Sequence, residues 1–110
     1  MAKFIVSTRS NGEYQFKLVA GNGQTILVSE GYNAKASCLS GIESVKKNAG
    51  DDNRYELLTS SNGKPYFNLK ASNGQVIGTS QMYASEETRA TGIAAVKEGA
   101  PDAEVVEENA

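Results

Sequence analysis

Residues 10–46 read SNGEYQFKLVAGNGQTILVSEGYNAKASCLSGIESVK, and residues 61–97 return to the same pattern as SNGKPYFNLKASNGQVIGTSQMYASEETRATGIAAVK. The two copies align without a gap at an offset of 51 residues. A repeat of this kind indicates one supersecondary unit that is used twice, and it has to be recognised before single elements are assigned. The duplication therefore predicts the architecture of nearly the whole chain.

Short alternating runs in each copy predict β-strands. Phe16 and Leu18 fall on one face of a strand, opposite to Gln15 and Lys17, because successive strand side chains point to opposite faces. Four Asn-Gly pairs separate these runs, beginning at Asn11, Asn22, Asn62 and Asn73. Asn and Gly both tolerate positive φ, so the pairs predict two-residue type I′ hairpin turns between antiparallel strands. Each copy thus contributes three short strands.

The apolar period changes from 2 to 3.6 after the third strand of each copy, which predicts an amphipathic helix. Cys38, Ile42 and Val45 form the apolar stripe of the first helix, and Arg89 takes the place of Cys38 in the second. Ser85 is the predicted N-cap of the second helix, whereas the start of the first, at residue 33 or 34, is less clearly marked. A structural, half-buried thiol is the favoured interpretation of Cys38.

One glycine lies inside each predicted helix, Gly41 in the first and Gly92 in the second. A glycine in a helix interior costs about 1 kcal/mol relative to alanine. Because both copies keep the glycine at the same position, we predict that the missing Cβ lets the helix approach the sheet closely.

The offset also predicts a strand at residues 103–107, after the second helix, followed by a frayed acidic tail. Each copy alone is near the size at which a single core is marginal. We therefore predict one α+β domain over residues 1–110, with repeats at about 1–51 and 52–102, and a monomer that behaves as a pseudo-dimer. Seven strands and two helices predict one antiparallel sheet with both helices packed on one face.

The composition of the chain excludes several classes of function. The net charge of −2 argues against nucleic-acid binding, because proteins that bind nucleic acids carry a basic patch or stripe. The chain has no histidine and one cysteine, which removes a Ser-His-Asp triad and a closed zinc site within one chain. We predict no catalytic residue, no metal and no cofactor. No apolar run approaches the roughly 20 residues that span a bilayer, and no signal peptide is evident, so a cytoplasmic protein is predicted.

The motifs resemble those of the YegP-like family, small bacterial proteins of unknown function that carry a short domain in tandem. The resemblance rests on an aromatic-x-Leu strand, then Asn-Gly-Gln-x-Ile through Ser-x-x-Tyr, then a helix with Gly-Ile-x-x-Val-Lys, in both copies. It implies tandem β3-α-β units in one sheet, with the C-terminal strands exchanged between units. It assigns no catalytic residue and no substrate.

The Ser-x-x-Tyr segments are the first candidate site. They place Ser29 with Tyr32, and Ser80 with Tyr83, in the loop between the third strand and the helix of each copy. Hydroxyl pairs in such loops suit a small polar ligand or an anion near a helix N-terminus. The alternative is structural, with Ser bonding the backbone of the turn and Tyr closing the edge of the core.

The sheet face without helices is the second candidate site. It carries Lys17 in the first copy and Tyr66 and Lys70 in the second, which could receive a peptide, a strand or a nucleic acid. Single basic residues on an exposed strand also serve solubility and edge protection.

Three functions are compatible with these observations. The first is a non-enzymatic binding or interaction module that uses the open sheet face or an edge strand. The second is a small-ligand-binding protein or an enzyme with its site at the Ser-x-x-Tyr segments. The third is a structural or stress-related accessory protein. The first is the favoured prediction.

Overall fold

Residues 2–108, which the computed structural model describes, form seven strands and two α-helices. The strands are β1 (Lys3–Thr8), β2 (Tyr14–Val19), β3 (Thr25–Val28), β4 (Tyr55–Thr59), β5 (Pro65–Lys70), β6 (Val76–Thr79) and β7 (Glu104–Glu107). The helices are α1 (Lys35–Asn48) and α2 (Glu86–Gly99), and a short 3-10 turn at Asp52–Arg54 precedes β4. The predicted acidic tail includes residues 109 and 110, which lie outside the described residues.

All seven strands belong to one sheet with the order β4-β5-β6-β3-β2-β1-β7. The two copies meet at β3 and β6, where Val28 lies opposite Thr79, and a pseudo-two-fold axis passes between these strands. Strand β7, which follows the helix of the second copy, pairs with β1 of the first. The predicted α+β fold with two tandem units and an exchanged C-terminal strand is confirmed.

One strand pair differs from the predicted antiparallel sheet, because β7 runs parallel to β1. The reason is geometric. The pseudo-two-fold axis reverses the direction of equivalent strands in the two copies, so β4 runs opposite to β1. Strand β7 follows α2 as β4 follows α1, so β7 runs opposite to β4 and therefore parallel to β1. The sheet is therefore mixed, with five antiparallel pairs and one parallel pair among the described strands.

The Asn-Gly turns are not of type I′, so that prediction is wrong. Positive φ occurs only at the glycines of the described chain, at Gly12, Gly23, Gly63 and Gly74, and never at the preceding Asn. At Asn22 the side-chain Oδ1 accepts a hydrogen bond from the backbone N–H of Gln24 at 2.9 Å, and the N–H of Gly23 bonds to the carbonyl of Ala20. The Asn side chain thus stabilises a longer turn, in which only the glycine enters the left-handed region.

The two helices begin differently, as the sequence predicts. Ser85 caps α2: its Oγ accepts a hydrogen bond from the N–H of Thr88 at 3.2 Å, and the Thr88 hydroxyl accepts one from the N–H of Ser85. At α1 the N-cap is Ala34, which offers no side-chain bond. The capping box and the acidic first turn of α2 stabilise its N-terminus.

The core lies between the helices and one face of the sheet. Its fully buried aromatic and aliphatic side chains come from both copies, among them Phe4, Phe16, Leu27, Ile42, Phe67, Leu69 and Val96. At the seam, a Cβ on Gly78 of β6 would lie 2.6 Å from Cγ of Leu27 on β3. Leu27 therefore fills space that the second copy leaves empty, and the two halves pack as one core.

Candidate functional site

The two predicted serines lie at the central seam of the sheet and take part in its backbone network. Ser29 and Ser80 are buried, and their Oγ atoms accept hydrogen bonds from the backbone N–H groups of Phe16 and Phe67, both at 2.9 Å. Each hydroxyl also donates to the carbonyl of the next residue, at 2.8 Å and 2.9 Å. This geometry favours the structural alternative for the serines, and a ligand role for them stays a prediction.

The two predicted tyrosines lie beneath the helices. Tyr32 stacks on Phe16 with 6.3 Å between ring centroids, and Tyr83 stacks on Phe67 at 6.2 Å. The hydroxyl of each ring lies against the helical glycine of its own copy, where a Cβ would collide with it. The helical glycines therefore make room for the tip of a loop tyrosine, where their position in the sequence predicts close approach of the helix to the sheet.

A cavity of about 450 Å³ opens beside Tyr83, between α2 and the turn before β3. Burial raises the pKa of the Tyr83 hydroxyl, and within residues 2–108 this buried oxygen has no hydrogen-bond partner. The wall combines side chains from both copies, including Gln24, Gln81, Met82, Thr88 and Thr91. These groups are amides, hydroxyls and a thioether, so the cavity suits a small neutral molecule with a hydrogen-bond acceptor.

The uncovered face of the sheet carries one continuous row of side chains. The strand register aligns, from one edge to the other, Glu56, Asn68, Thr79, Val28, Lys17, Ile5 and Val106. We call this set the uncovered-face row. Tyr66 and Lys70 flank Asn68 on β5 and project to the same face, because they are two residues from it.

The two halves of this face differ in charge pairing. Lys70 Nζ bonds to Glu56 at 3.1 Å, and Asn68 links Glu56 to Thr79 by hydrogen bonds of 3.2 Å and 2.8 Å. The hydrogen bonds from Lys70 and Asn68 hold the pKa of Glu56 below its usual range. Lys17, by contrast, lies between apolar Ile5 and Val28 in the register and has no ion pair within the described chain.

The predicted site residues thus occupy three places rather than one. The serines are at the seam, the tyrosines are under the helices on the covered face, and Lys17, Tyr66 and Lys70 are on the uncovered face. The cavity beside Tyr83 was not predicted. Gln24, on the strand-entry turn of the first copy, lines this cavity together with Tyr83 of the second copy.

Arg89 is the second feature that sequence reasoning missed. It replaces Cys38, which is buried with its thiol pKa raised by burial. Arg89 is only 8% exposed; its Nη1 donates to the carbonyl of Leu58 on β4 at 3.0 Å, and its Nη2 lies 3.4 Å from Glu86. The guanidinium therefore ties the start of α2 to the edge strand of the sheet.

Other sites are limited in the described part of the chain. Residues 2–108 contain no cluster of three acidic, cysteine or histidine side chains that could hold a metal ion. Neither helix of these residues is long and apolar enough to cross a bilayer. The described surface offers a sheet face, a sheet edge and several cavities, of which the cavity beside Tyr83 has an uncharged lining. Fold and surfaces together define a two-layer α+β protein built from a duplicated β-β-β-α unit.

The chain belongs to the family of the domain of unknown function DUF1508, whose family model matches it twice, at residues 10–56 and 60–107. A UPF0339 protein of Stutzerimonas stutzeri, from the region 5′ of the ptx operon, is 62% identical over 96 residues, covering 87% of this chain and 86% of that protein. The UPF0339 protein YegP of Escherichia coli K12 is 55% identical over 94 residues, with 86% of both chains covered. The predicted family resemblance is confirmed.

Two solved structures share the fold. The solution NMR structure of the E. coli protein of unknown function yegP matches with a TM-score of 0.93 and 49% identity, over 98% of this chain and 93% of that one. That of a UPF0339 protein from Shewanella oneidensis also has a TM-score of 0.93, with 44% identity, and covers 98% and 92%. The relatives are bacterial proteins whose function is unknown, so the family establishes the fold and assigns no activity.

Proposed function

We propose that this protein is a non-enzymatic binding module that engages a macromolecular partner through the uncovered face of its sheet. The observation that carries the proposal is the uncovered-face row, in which Lys17 lies between Ile5 and Val28 and has no ion pair with any of residues 2–108. A cation set among apolar side chains is suited to an acidic group on an otherwise apolar partner surface. The lack of histidine and of any recognised catalytic motif weighs against an enzyme.

We also propose that the protein acts as a monomer in the cytoplasm. The pseudo-two-fold arrangement supports a monomer, because the second copy supplies the packing that a second subunit would otherwise give. The free thiol of the buried Cys38 suits a reducing compartment.

Charge reversal on the uncovered face tests this function. We expect Lys17→Glu to abolish capture of the partner from bacterial cytosol, and Lys47→Glu, the same change on an exposed turn of α1, to leave it intact. In a backbone NMR titration with the captured partner, shifts should be confined to the uncovered-face row and its neighbours. Shifts confined to the helical side, or no binding above background, would contradict the proposal.

A second candidate function is binding of a small neutral ligand in the cavity beside Tyr83. The supporting observation is the buried Tyr83 hydroxyl without a partner among the residues described. Such a group costs about 1–3 kcal/mol of stability in the free protein. A ligand with a hydrogen-bond acceptor would remove that cost when it binds.

Two conservative substitutions test the state of this hydroxyl. We expect Tyr83→Phe to leave the free energy of unfolding unchanged or to raise it. Tyr55→Phe is the matched control and should lower it by about 1 kcal/mol, because it removes the 2.7 Å hydrogen bond to the carbonyl of buried Ala49. In an NMR screen of amide and alcohol fragments, hits in the cavity should weaken in Tyr83→Phe and persist in Tyr32→Phe. A loss of stability in Tyr83→Phe equal to that in Tyr55→Phe would refute this assignment.

A further inference from the structure

The two edges of the sheet are not equivalent. Strand β7 covers the outer edge of β1, and Glu108 donates its backbone N–H to the carbonyl of Val6 at 2.8 Å. The pseudo-two-fold axis places β4 at the position equivalent to β1, with Leu57 at the position of Val6. No strand formed by residues 2–108 pairs with the outer edge of β4. The molecule therefore contains one filled and one open copy of the same edge.

The backbone of β4 is set to receive a strand. Leu57 lies opposite Phe67 of β5, whose own N–H and carbonyl are both engaged with Ser80 on the β6 side. In an antiparallel ladder the N–H and the carbonyl of one residue point to the same side of the strand. Leu57 and Phe67 are therefore a pair without hydrogen bonds between them. The N–H and carbonyl of Leu57 therefore point away from β5, to the open edge.

The side chains at the open edge are also uncovered. Leu57 is 57% exposed, whereas its counterpart Val6, beside β7, is 3% exposed. Tyr55 is partly buried where its counterpart Phe4 is fully buried. A strand added beside β4 would cover this apolar surface as β7 covers that of β1.

The charged residue beside the sheet edge differs between the two copies, and this difference determines which side chain an added strand must carry. At the filled edge, Glu107 of β7 forms an ion pair with Lys35 at the start of α1. The counterpart of Lys35 is Glu86, at the start of α2, whose side chain is 86% exposed and whose ion-pair partner among residues 2–108 is Arg89 at 3.4 Å. The charge at this position is reversed, so a strand in the register of β7 would need a cation in the place of Glu107.

We propose that the outer edge of β4 binds an extended peptide segment of a partner protein as a parallel eighth strand. Its register is that of β7 on β1, with an apolar side chain beside Tyr55 and a lysine or arginine beside Leu57 that pairs with Glu86. This is peptide recognition by β-augmentation, in which the backbone supplies affinity and alternate side chains supply specificity. It is independent of the uncovered face, since the contacts lie on the edge and beside α2.

A second copy of the chain is a poorer occupant. Its β7 would bring Glu107, an acid, to Glu86, and its β4 would bring no cation opposite Leu57. The first arrangement places two negative charges together, and the second places no charge beside Glu86. Neither supplies the positive charge that would pair with Glu86.

Two synthetic peptides with the sequence of residues 101–108 test the proposal, one unchanged and one carrying Glu107→Lys. In an NMR titration of the full chain, we expect the Glu107→Lys peptide to shift the amides of residues 55–59 and to bind about fivefold more tightly than the unchanged peptide. The variant Glu86→Lys should reverse this preference. The control Glu87→Lys, the same change on the next, exposed residue, should not.

The proposal would be overturned by equal affinity of the two peptides, by an unchanged preference in Glu86→Lys, or by shifts at β1 and β7 without shifts at β4. A dimer in sedimentation analysis with residues 55–59 protected in the free protein would show that a second copy takes the edge, and would also refute it. Shifts on β4 without shifts at Lys17 would separate this site from the uncovered face, so each proposal can fail alone.

Discussion

Residues 1–58 expressed alone should fail to give a stable folded monomer. This fragment keeps β1 to β3 and α1 but loses β6 beside β3 and β7 beside β1. It also leaves Leu27 without the seam that it packs against at Gly78. A chain of this size buries too little apolar surface to offset the entropy of folding once half of its core partners are removed.

The measurement is the dispersion of the amide spectrum together with the cooperativity of thermal unfolding. The matched control is a mixture of residues 1–51 and residues 52–110, which should regain the dispersed spectrum of the intact chain. A folded, monomeric fragment 1–58 would mean that each copy has its own core and that the proposed single domain is wrong.

Phe67→Ala should lower the free energy of unfolding by about 3–5 kcal/mol. The Phe67 ring is fully buried and contacts Tyr55 edge-on at 5.7 Å and Tyr83 face-on at 6.2 Å between ring centroids. Its removal leaves a cavity at the centre of the second copy. Because the two copies share one core, unfolding should remain a single transition in which β1 to β3 are lost together with β4 to β6.

Tyr66→Ala is the control for this substitution, measured by the same denaturant titration. Tyr66 is the neighbour in sequence but projects to the uncovered face, so its truncation should cost less than about 1 kcal/mol. Equal losses in the two variants would contradict the assignment of the two faces of β5. Loss of only half of the structure in Phe67→Ala would contradict the shared core.

Much of this fold is predictable because its signals are local. The alternation around Phe16 and Phe67 identifies the buried face, and the stripe through Ile42 and Val45 identifies the buried side of α1. Ser85 marks the start of α2 by its own hydrogen bond. Each of these patterns is completed within a few residues, so no knowledge of the tertiary structure is needed to read it.

The two wrong predictions about the fold concern the turn type and the direction of β7, which the local sequence pattern does not determine. Asn22 and Gly23 are compatible with type I′, but the bond from Gln24 N–H to the Asn22 side chain stabilises a turn in which Asn keeps negative φ. The parallel direction of β7 depends on where the pseudo-two-fold axis lies. Local alternation in residues 103–107 is the same for either direction.

The surfaces were harder to predict than the fold, because they combine residues that the repeat does not align. The cavity joins Gln24 of one copy to Tyr83 and Thr88 of the other, whereas the offset aligns only equivalent positions. The open edge emerges from a difference between copies, with Glu86 in the place of Lys35 and Leu57 in the place of Val6. Such differences gain meaning only once β7 is known to lie beside β1.

Duplication builds one sheet in which the chain itself closes one edge, and we propose that the equivalent edge stays open for binding. Amide hydrogen exchange of Val6 and Leu57 in the free protein tests this arrangement, because both amides point outward from equivalent strands. We expect slow exchange at Val6, beside β7, and fast exchange at Leu57. Equal protection of the two amides would show that the edge of β4 is already covered and would contradict the claim.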